Sequence, residues 1–108
     1  MKIVGILGST GSVGQQALDV ISQHPDKFQV KYLVCNKNYK KLLEQALIFK
    51  PQYICVTNKE KTVLLKDALK SYNIISKISS LKELTTNVNV DIVLNAISGY
   101  KGLEPTLD

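Results

Sequence analysis

An α/β domain built on a doubly wound, mainly parallel sheet is what this sequence predicts, and three observations carry that prediction. Short β-rich apolar runs recur along the chain, and between them lie stretches whose apolar residues return at helical spacing. The first and last runs, Ile3 to Leu7 and Asp91 to Ile97, are almost continuously hydrophobic, which suits strands buried on both faces of a parallel sheet. The first run breaks at once into Gly8-Ser9-Thr10-Gly11-Ser12-Val13-Gly14, a glycine-rich turn that opens directly onto a helix.

The elements follow in order. Ile3 to Leu7 reads as the first strand, and the helix after the turn runs from Ser12 to about Gln23 on Val13, Ala17, Leu18 and Ile21. His24-Pro25-Asp26 ends that helix, because proline disfavours helical angles in the residue before it. Phe28 to Cys35 is the second strand. Asn38 can cap the next helix, Tyr39 to Phe49, which carries Leu42, Leu43, Ala46 and Leu47 on one face and is stopped by Pro51. Tyr53 to Val56 is the third strand. Asn58 can cap a further helix, Lys59 to Tyr72, with Val63, Leu64, Ala68 and Leu69 at helical spacing. Ile74 to Ile78 is a short strand candidate, Leu81 to Leu84 a helical turn, and Asp91 to Ile97 a closing buried strand. No repeat, linker or domain boundary interrupts residues 1–108, which are read as one domain.

Alternating strands and helices imply right-handed crossovers with helices on both faces, a Rossmann-like NAD(P)-binding architecture. Its ligand belongs in the crevice at the carboxyl ends of the strands, where three loops converge: Gly8 to Val13, Asn36 to Asn38, and Ser98 to Lys101. Gly8 can take backbone angles closed to other residues, Gly11 leaves room for a bulky anion, and Gly14 lets the helix pack closely on the strand. Ser9, Thr10 and Ser12 add hydroxyl donors. The turn meets the N–H groups and positive dipole end of a helix, the setting that holds phosphate. Its Gly-x-x-Gly-x-x-Gly spacing departs by one residue from the usual dinucleotide fingerprint, and a glycine-rich turn that binds nothing stays open. A P-loop is excluded, since no Gly-Lys-Ser/Thr follows.

The loop after the second strand reports on the kind of dinucleotide. An acidic side chain about 20 residues beyond the glycines would hold the ribose 2′-hydroxyl of NAD. Here the residues are Asn36-Lys37-Asn38. No carboxylate repels a 2′-phosphate, Lys37 supplies a cation, and both asparagines can donate hydrogen bonds, so NADPH is the expected cofactor.

Composition limits the alternatives. The chain has 108 residues, 44% of them hydrophobic: enough for one domain with a core, too few for a whole two-domain enzyme. All 14 basic residues are lysine and they are scattered, so the formal charge of +5 reads as a solvated surface, not as a nucleic-acid or membrane patch. No apolar run approaches a membrane span and no secretory leader is read before the first strand, so a cytoplasmic protein is expected. Cys35 and Cys55 lie in apolar strand-like settings and read as buried free thiols. The acids fall mostly on helices and surface turns, and His24 sits in a helix-ending turn, so no catalytic residue and no metal site is assigned within the chain.

Gly8-Ser9-Thr10-Gly11-Ser12-Val13-Gly14 with Leu18-Asp19-Val20, then Lys37-Asn38, and finally Gly99-Tyr100-Lys101-Gly102-Leu103-Glu104-Pro105-Thr106-Leu107 together resemble the N-terminal domain of the 1-deoxy-D-xylulose 5-phosphate reductoisomerases. The resemblance spans the whole chain, and the Gly-Leu-x-Pro-Thr-Leu ending is not a general dinucleotide-fold feature. It implies an NADPH domain followed by catalytic and C-terminal domains. The implied activity is isomerisation and NADPH-dependent reduction of 1-deoxy-D-xylulose 5-phosphate to 2-C-methyl-D-erythritol 4-phosphate, in the non-mevalonate route to isoprenoids. It further implies a divalent Mg or Mn ion with ligands beyond Asp108, a phosphosugar substrate and a homodimer of the full-length enzyme. Residue by residue, it implies NADPH contacts at Thr10, Gly11, Ser12 and Val13 and, on the 2′-phosphate side, at Lys37 and Asn38. Asn36 stands where the family more usually has glycine, so its contact requires asparagine to accept that backbone conformation. Another NADP-dependent oxidoreductase and a non-catalytic NADP-binding regulatory module remain as alternatives; a short-chain reductase would need a Tyr-x-x-x-Lys pair, and the sequence has none.

Overall fold

The computed structural model describes residues 1–97, so the Ser98 to Lys101 loop and the Gly99 to Leu107 motif lie outside the described residues. Five strands and four helices alternate: β1 (Lys2–Leu7), α1 (Ser12–Ser22), β2 (Phe28–Cys35), α2 (Tyr39–Phe49), β3 (Tyr53–Val56), α3 (Lys59–Leu69), β4 (Lys77–Ile78), α4 (Leu81–Asn87) and β5 (Ile92–Asn95). The strands form one parallel sheet in the order β4-β3-β2-β1-β5. From β1 the chain steps outward to β4, then returns to the far side of β1. The reversal falls between β1 and β5, and the crevice outside the carboxyl ends of strands at such a switch point is where α/β sheets bind ligands.

That strand order also distributes the helices. Three outward steps with right-handed crossovers put α1, α2 and α3 on one face, and the return step puts α4 on the other. The core divides accordingly. Val4, Ile6, Leu33, Cys35, Ile54 and Val56 pack under Leu18 and Ile21 of α1, Leu42, Leu43 and Ala46 of α2, and Leu65 of α3. The alternate residues Tyr32, Val34 and Cys55 point the other way and meet Leu84 of α4. Gly5 makes room for the buried Tyr32, since a Cβ there would run into the phenol ring. Helices therefore lie on both faces as expected, but three against one.

Asn38 and Asn58 cap α2 and α3, each accepting a hydrogen bond from the N–H three residues on, at 3.1 Å. Lys50 ends α2 in a left-handed conformation immediately before Pro51. Three expectations are corrected. The helix α3 stops at Leu69, short of Tyr72, and its packing face is Leu65, Ala68 and Leu69; Val63 is 61% exposed and Leu64 41%. Val63 lies on the far side of the helix from Leu65 and Leu64 at the edge of the packing face, so the stripe read from the spacing is rotated from the one that packs. Val13 and Leu47, also assigned to apolar faces, are 54% and 41% exposed, and Gln45 occupies the buried position on α2. The strand β5 is half-buried throughout, because it pairs with β1 alone among the described strands. Among the described residues, no helix is long and apolar enough to cross a membrane.

Candidate functional site

The carboxyl ends of β1, β2 and β5 lie side by side, with Leu7 registered against Val34 on one flank and Asn95 on the other. Above them opens a cleft of about 480 Å³ lined by Leu7, Gly8, Thr10, Gly11, Val34, Cys35, Asn36, Thr57, Leu81, Ala96 and Ile97. Its floor is the strand ends. Its polar rim comes from the glycine turn and the loop after β2.

The turn is tightly determined. Gly8 has φ +85°, and a Cβ there would lie 2.8 Å from the Ala96 carbonyl oxygen, so both conformation and space demand glycine. The N–H groups of Gly8 and Ser9 both donate to the Val34 carbonyl, at 2.7 and 3.0 Å, tying the turn to β2. Gly14 sits at the closest approach of α1 to the turn, where a Cβ would meet the Gly8 carbonyl oxygen and lie 2.7 Å from the Ser9 Cα. Gly11 is the N-cap of α1 at φ −78°, ψ 175°, with no side-chain cap. The N–H groups of Thr10, Ser12, Val13 and Gly14 consequently have no partner among the described residues. No acidic residue occupies the first turn of α1 either. Among the described residues the positive end of this helix dipole is uncompensated, an arrangement that stabilises an anion.

The second loop stands opposite. Asn36 accepts from the Thr57 hydroxyl at 2.9 Å through its Oδ1, and its carbonyl accepts from the Asn58 N–H at 3.0 Å. With Oδ1 occupied, the Asn36 amide N–H₂ remains a donor. Asn38 likewise spends its Oδ1 on the Lys41 N–H. Asn36 keeps a negative φ; Lys50 is the only non-glycine with a positive one among the described residues. The feared conflict at position 36 is absent. Lys37 is exposed and makes no ion pair among the described residues, where Lys41 and Glu44 form the one salt bridge. Lysine charge is therefore available beside a loop that carries no carboxylate.

Cys35, buried at the end of β2, lines the cleft between the two loops. Burial pushes its thiol up to about 12, against the opposing pull of hydrogen bonds from the Thr10 side chain and the Asn38 backbone. At neutral pH it is a protonated, inert thiol. Cys55 is also buried and free, and faces the opposite side of the sheet.

Of the residues the sequence singled out, Thr10, Gly11 and Asn36 line the cleft. Ser12 and Val13 lie exposed at the start of α1, and Lys37 and Asn38 are exposed on the opposite loop. Ser9 is corrected: it is wholly buried, with no partner for its hydroxyl among the described residues, so it offers no donor to the cleft. Gln45 and Thr57 were missed. Gln45 Nε2 donates to the Ser9 carbonyl at 2.8 Å across 36 residues of sequence, a contact no local pattern announces. A polar residue amid Leu42, Leu43 and Ala46 was the only signal for it.

Comparison with known proteins agrees with this geometry. A family model described as 1-deoxy-D-xylulose 5-phosphate reductoisomerase matches residues 4–108. Enzymes of that name from Phocaeicola vulgatus and Saccharophagus degradans are each 40% identical to the chain, over 99% of its length. The chain spans 28% of the length of either relative. Among solved structures, a DOX-P reductoisomerase in complex with magnesium superposes with a TM-score of 0.85 at 31% identity, over 97% of this chain and 27% of that one. The same enzyme name with NADPH, fosmidomycin and magnesium gives 0.83 at 31% identity, covering 90% and 24%. One family accounts for nearly every residue of the sequence and for the path of the backbone: the chain belongs to the 1-deoxy-D-xylulose 5-phosphate reductoisomerase family.

Proposed function

We propose that residues 1–108 are the NADPH-binding N-terminal domain of a longer enzyme that isomerises and reduces 1-deoxy-D-xylulose 5-phosphate to 2-C-methyl-D-erythritol 4-phosphate. The observation that carries the reading is the pairing of two features across one cleft: an uncapped helix N-terminus at Gly11 and an acid-free loop presenting Lys37. Relatives solved with NADPH lend it support.

The residues fit the cofactor. The free N–H groups of Thr10, Ser12 and Val13 would take the pyrophosphate oxygens, with Gly11 leaving space for them. Lys37 would pair with the 2′-phosphate, and the amide N–H₂ groups of Asn36 and Asn38 would donate to the same side of the adenosine. The apolar floor, Leu7, Val34, Ala96 and Ile97, would exclude water beneath the bound dinucleotide. NADPH supplies the hydride that reduces the rearranged sugar. The protein's part within this domain is to bind and orient. The ligands of the divalent Mg or Mn and of the phosphosugar are assigned to chain beyond Asp108, and the full-length enzyme is read as a cytoplasmic homodimer.

The test is NADPH oxidation, followed by absorbance, with 1-deoxy-D-xylulose 5-phosphate and Mg or Mn. The full-length protein is expected to turn over and residues 1–108 alone to be inactive. Metal-dependent turnover by residues 1–108 would overturn the division of labour, and an inactive full-length protein the assignment of the reaction.

A further inference from the structure

Gln45 is buried at 5% exposure on α2, beneath the glycine turn, and is not among the cofactor contacts assigned above. Its Nε2 donates to the Ser9 carbonyl at 2.8 Å, and the Thr10 carbonyl is held at 2.8 Å by Gln15 Nε2 from α1. The turn is thus tied back by amides from two helices. All described peptide bonds are trans, so the Ser9 carbonyl and the Thr10 N–H project in opposite directions from one plane. Fixing the carbonyl on Gln45 turns the Thr10 N–H away from α2, on a residue that lines the cleft and whose N–H has no partner among the described residues.

We propose that Gln45 is a positioning residue, which aims the Thr10 N–H at the dinucleotide pyrophosphate by holding the Ser9 carbonyl. Stability gives little reason for a glutamine here. Its Oε1 is buried without a partner among the described residues, so the bond gained at Nε2 is offset by an acceptor left unpaired. Methionine or leucine fills a similar volume and removes the unpaired Oε1, leaving the Ser9 carbonyl as the acceptor without a donor instead, so the count of unpaired acceptors does not change. What either would forfeit is the restraint on the peptide: a buried Ser9 carbonyl without a donor rotates to find one and takes the Thr10 N–H with it.

The inference rests on the NADPH reading, and its test separates the two. Gln45→Met, Gln45→Leu and the parent are compared as full-length proteins by calorimetric titration with NADPH and with adenosine 2′-monophosphate, which has no pyrophosphate, alongside thermal midpoints. For both variants NADPH affinity falls about tenfold while adenosine 2′-monophosphate stays within about twofold, with folding retained. Unchanged NADPH affinity in the folded variants overturns the proposal. So do equal losses for both ligands with a lowered midpoint, which mark a merely structural glutamine. A parent that binds neither ligand overturns the NADPH reading and this inference with it.

Discussion

Replacing Gly11 with valine is expected to abolish NADPH binding while the domain stays folded, and the same replacement at Gly14 to destabilise the fold strongly. At φ −78° and ψ 175° Gly11 occupies extended backbone open to a branched residue. Valine is a poor N-cap, so the fold loses only about 1 kcal/mol. Its methyl groups, however, would stand where the pyrophosphate must approach the N–H groups of Ser12 and Val13. Loss of two charge-assisted hydrogen bonds, at about 1.5 kcal/mol or more each, is at least about a hundredfold in affinity. At Gly14 a Cβ would overlap the Gly8 carbonyl and the Ser9 Cα, both backbone atoms that cannot swing aside. Gly14→Val should cost about 3 kcal/mol or more in stability. Circular dichroism melts and NADPH titrations of the two variants check the contrast. An unfolded Gly11→Val protein would reduce Gly11 to a structural role.

Reversing the charge at Lys37 is expected to erase the preference for NADPH. Lys37 is exposed and free of any ion pair among the described residues, so its side chain spends nothing in leaving a protein partner. A charge-assisted bond to a 2′-phosphate contributes about 1.5 to 3 kcal/mol, and Lys37→Glu adds repulsion, so NADPH affinity should fall about tenfold to a hundredfold. NADH, with a 2′-hydroxyl, should change by no more than about threefold. Because the contact is solvent-exposed, rising salt should narrow the parent's preference. Equal losses for both dinucleotides, or none, would make Lys37 one more surface charge.

Most of the fold was legible because its signals are local. The Asn38 and Asn58 caps, the stop at Pro51 and the apolar runs of β2 and β3 each act within a few residues, and the observed Phe28–Cys35, Tyr39–Phe49 and Tyr53–Val56 coincide with the sequence reading. Failures came where neighbours decide. The spacing of α3 did not choose between Val63 or Leu64 and Leu65, since only the sheet beneath it selects the buried stripe. The half-buried state of β5 depends on what lies beside it, which no composition records. In the site, the glycine turn was legible because its φ of +85° at Gly8 leaves a residue-type signature. Burial of Ser9 and its tether to Gln45 were not, because both arise from α2 packing beneath the turn from 36 residues away.

The most direct test of the account is a calorimetric titration of the unmodified full-length protein with NADPH and NADH under one salt condition. An acid-free loop with an available Lys37 predicts NADPH binding tighter by about tenfold or more, at one site per chain. Equal affinity for the two dinucleotides, or a preference for NADH, would contradict it.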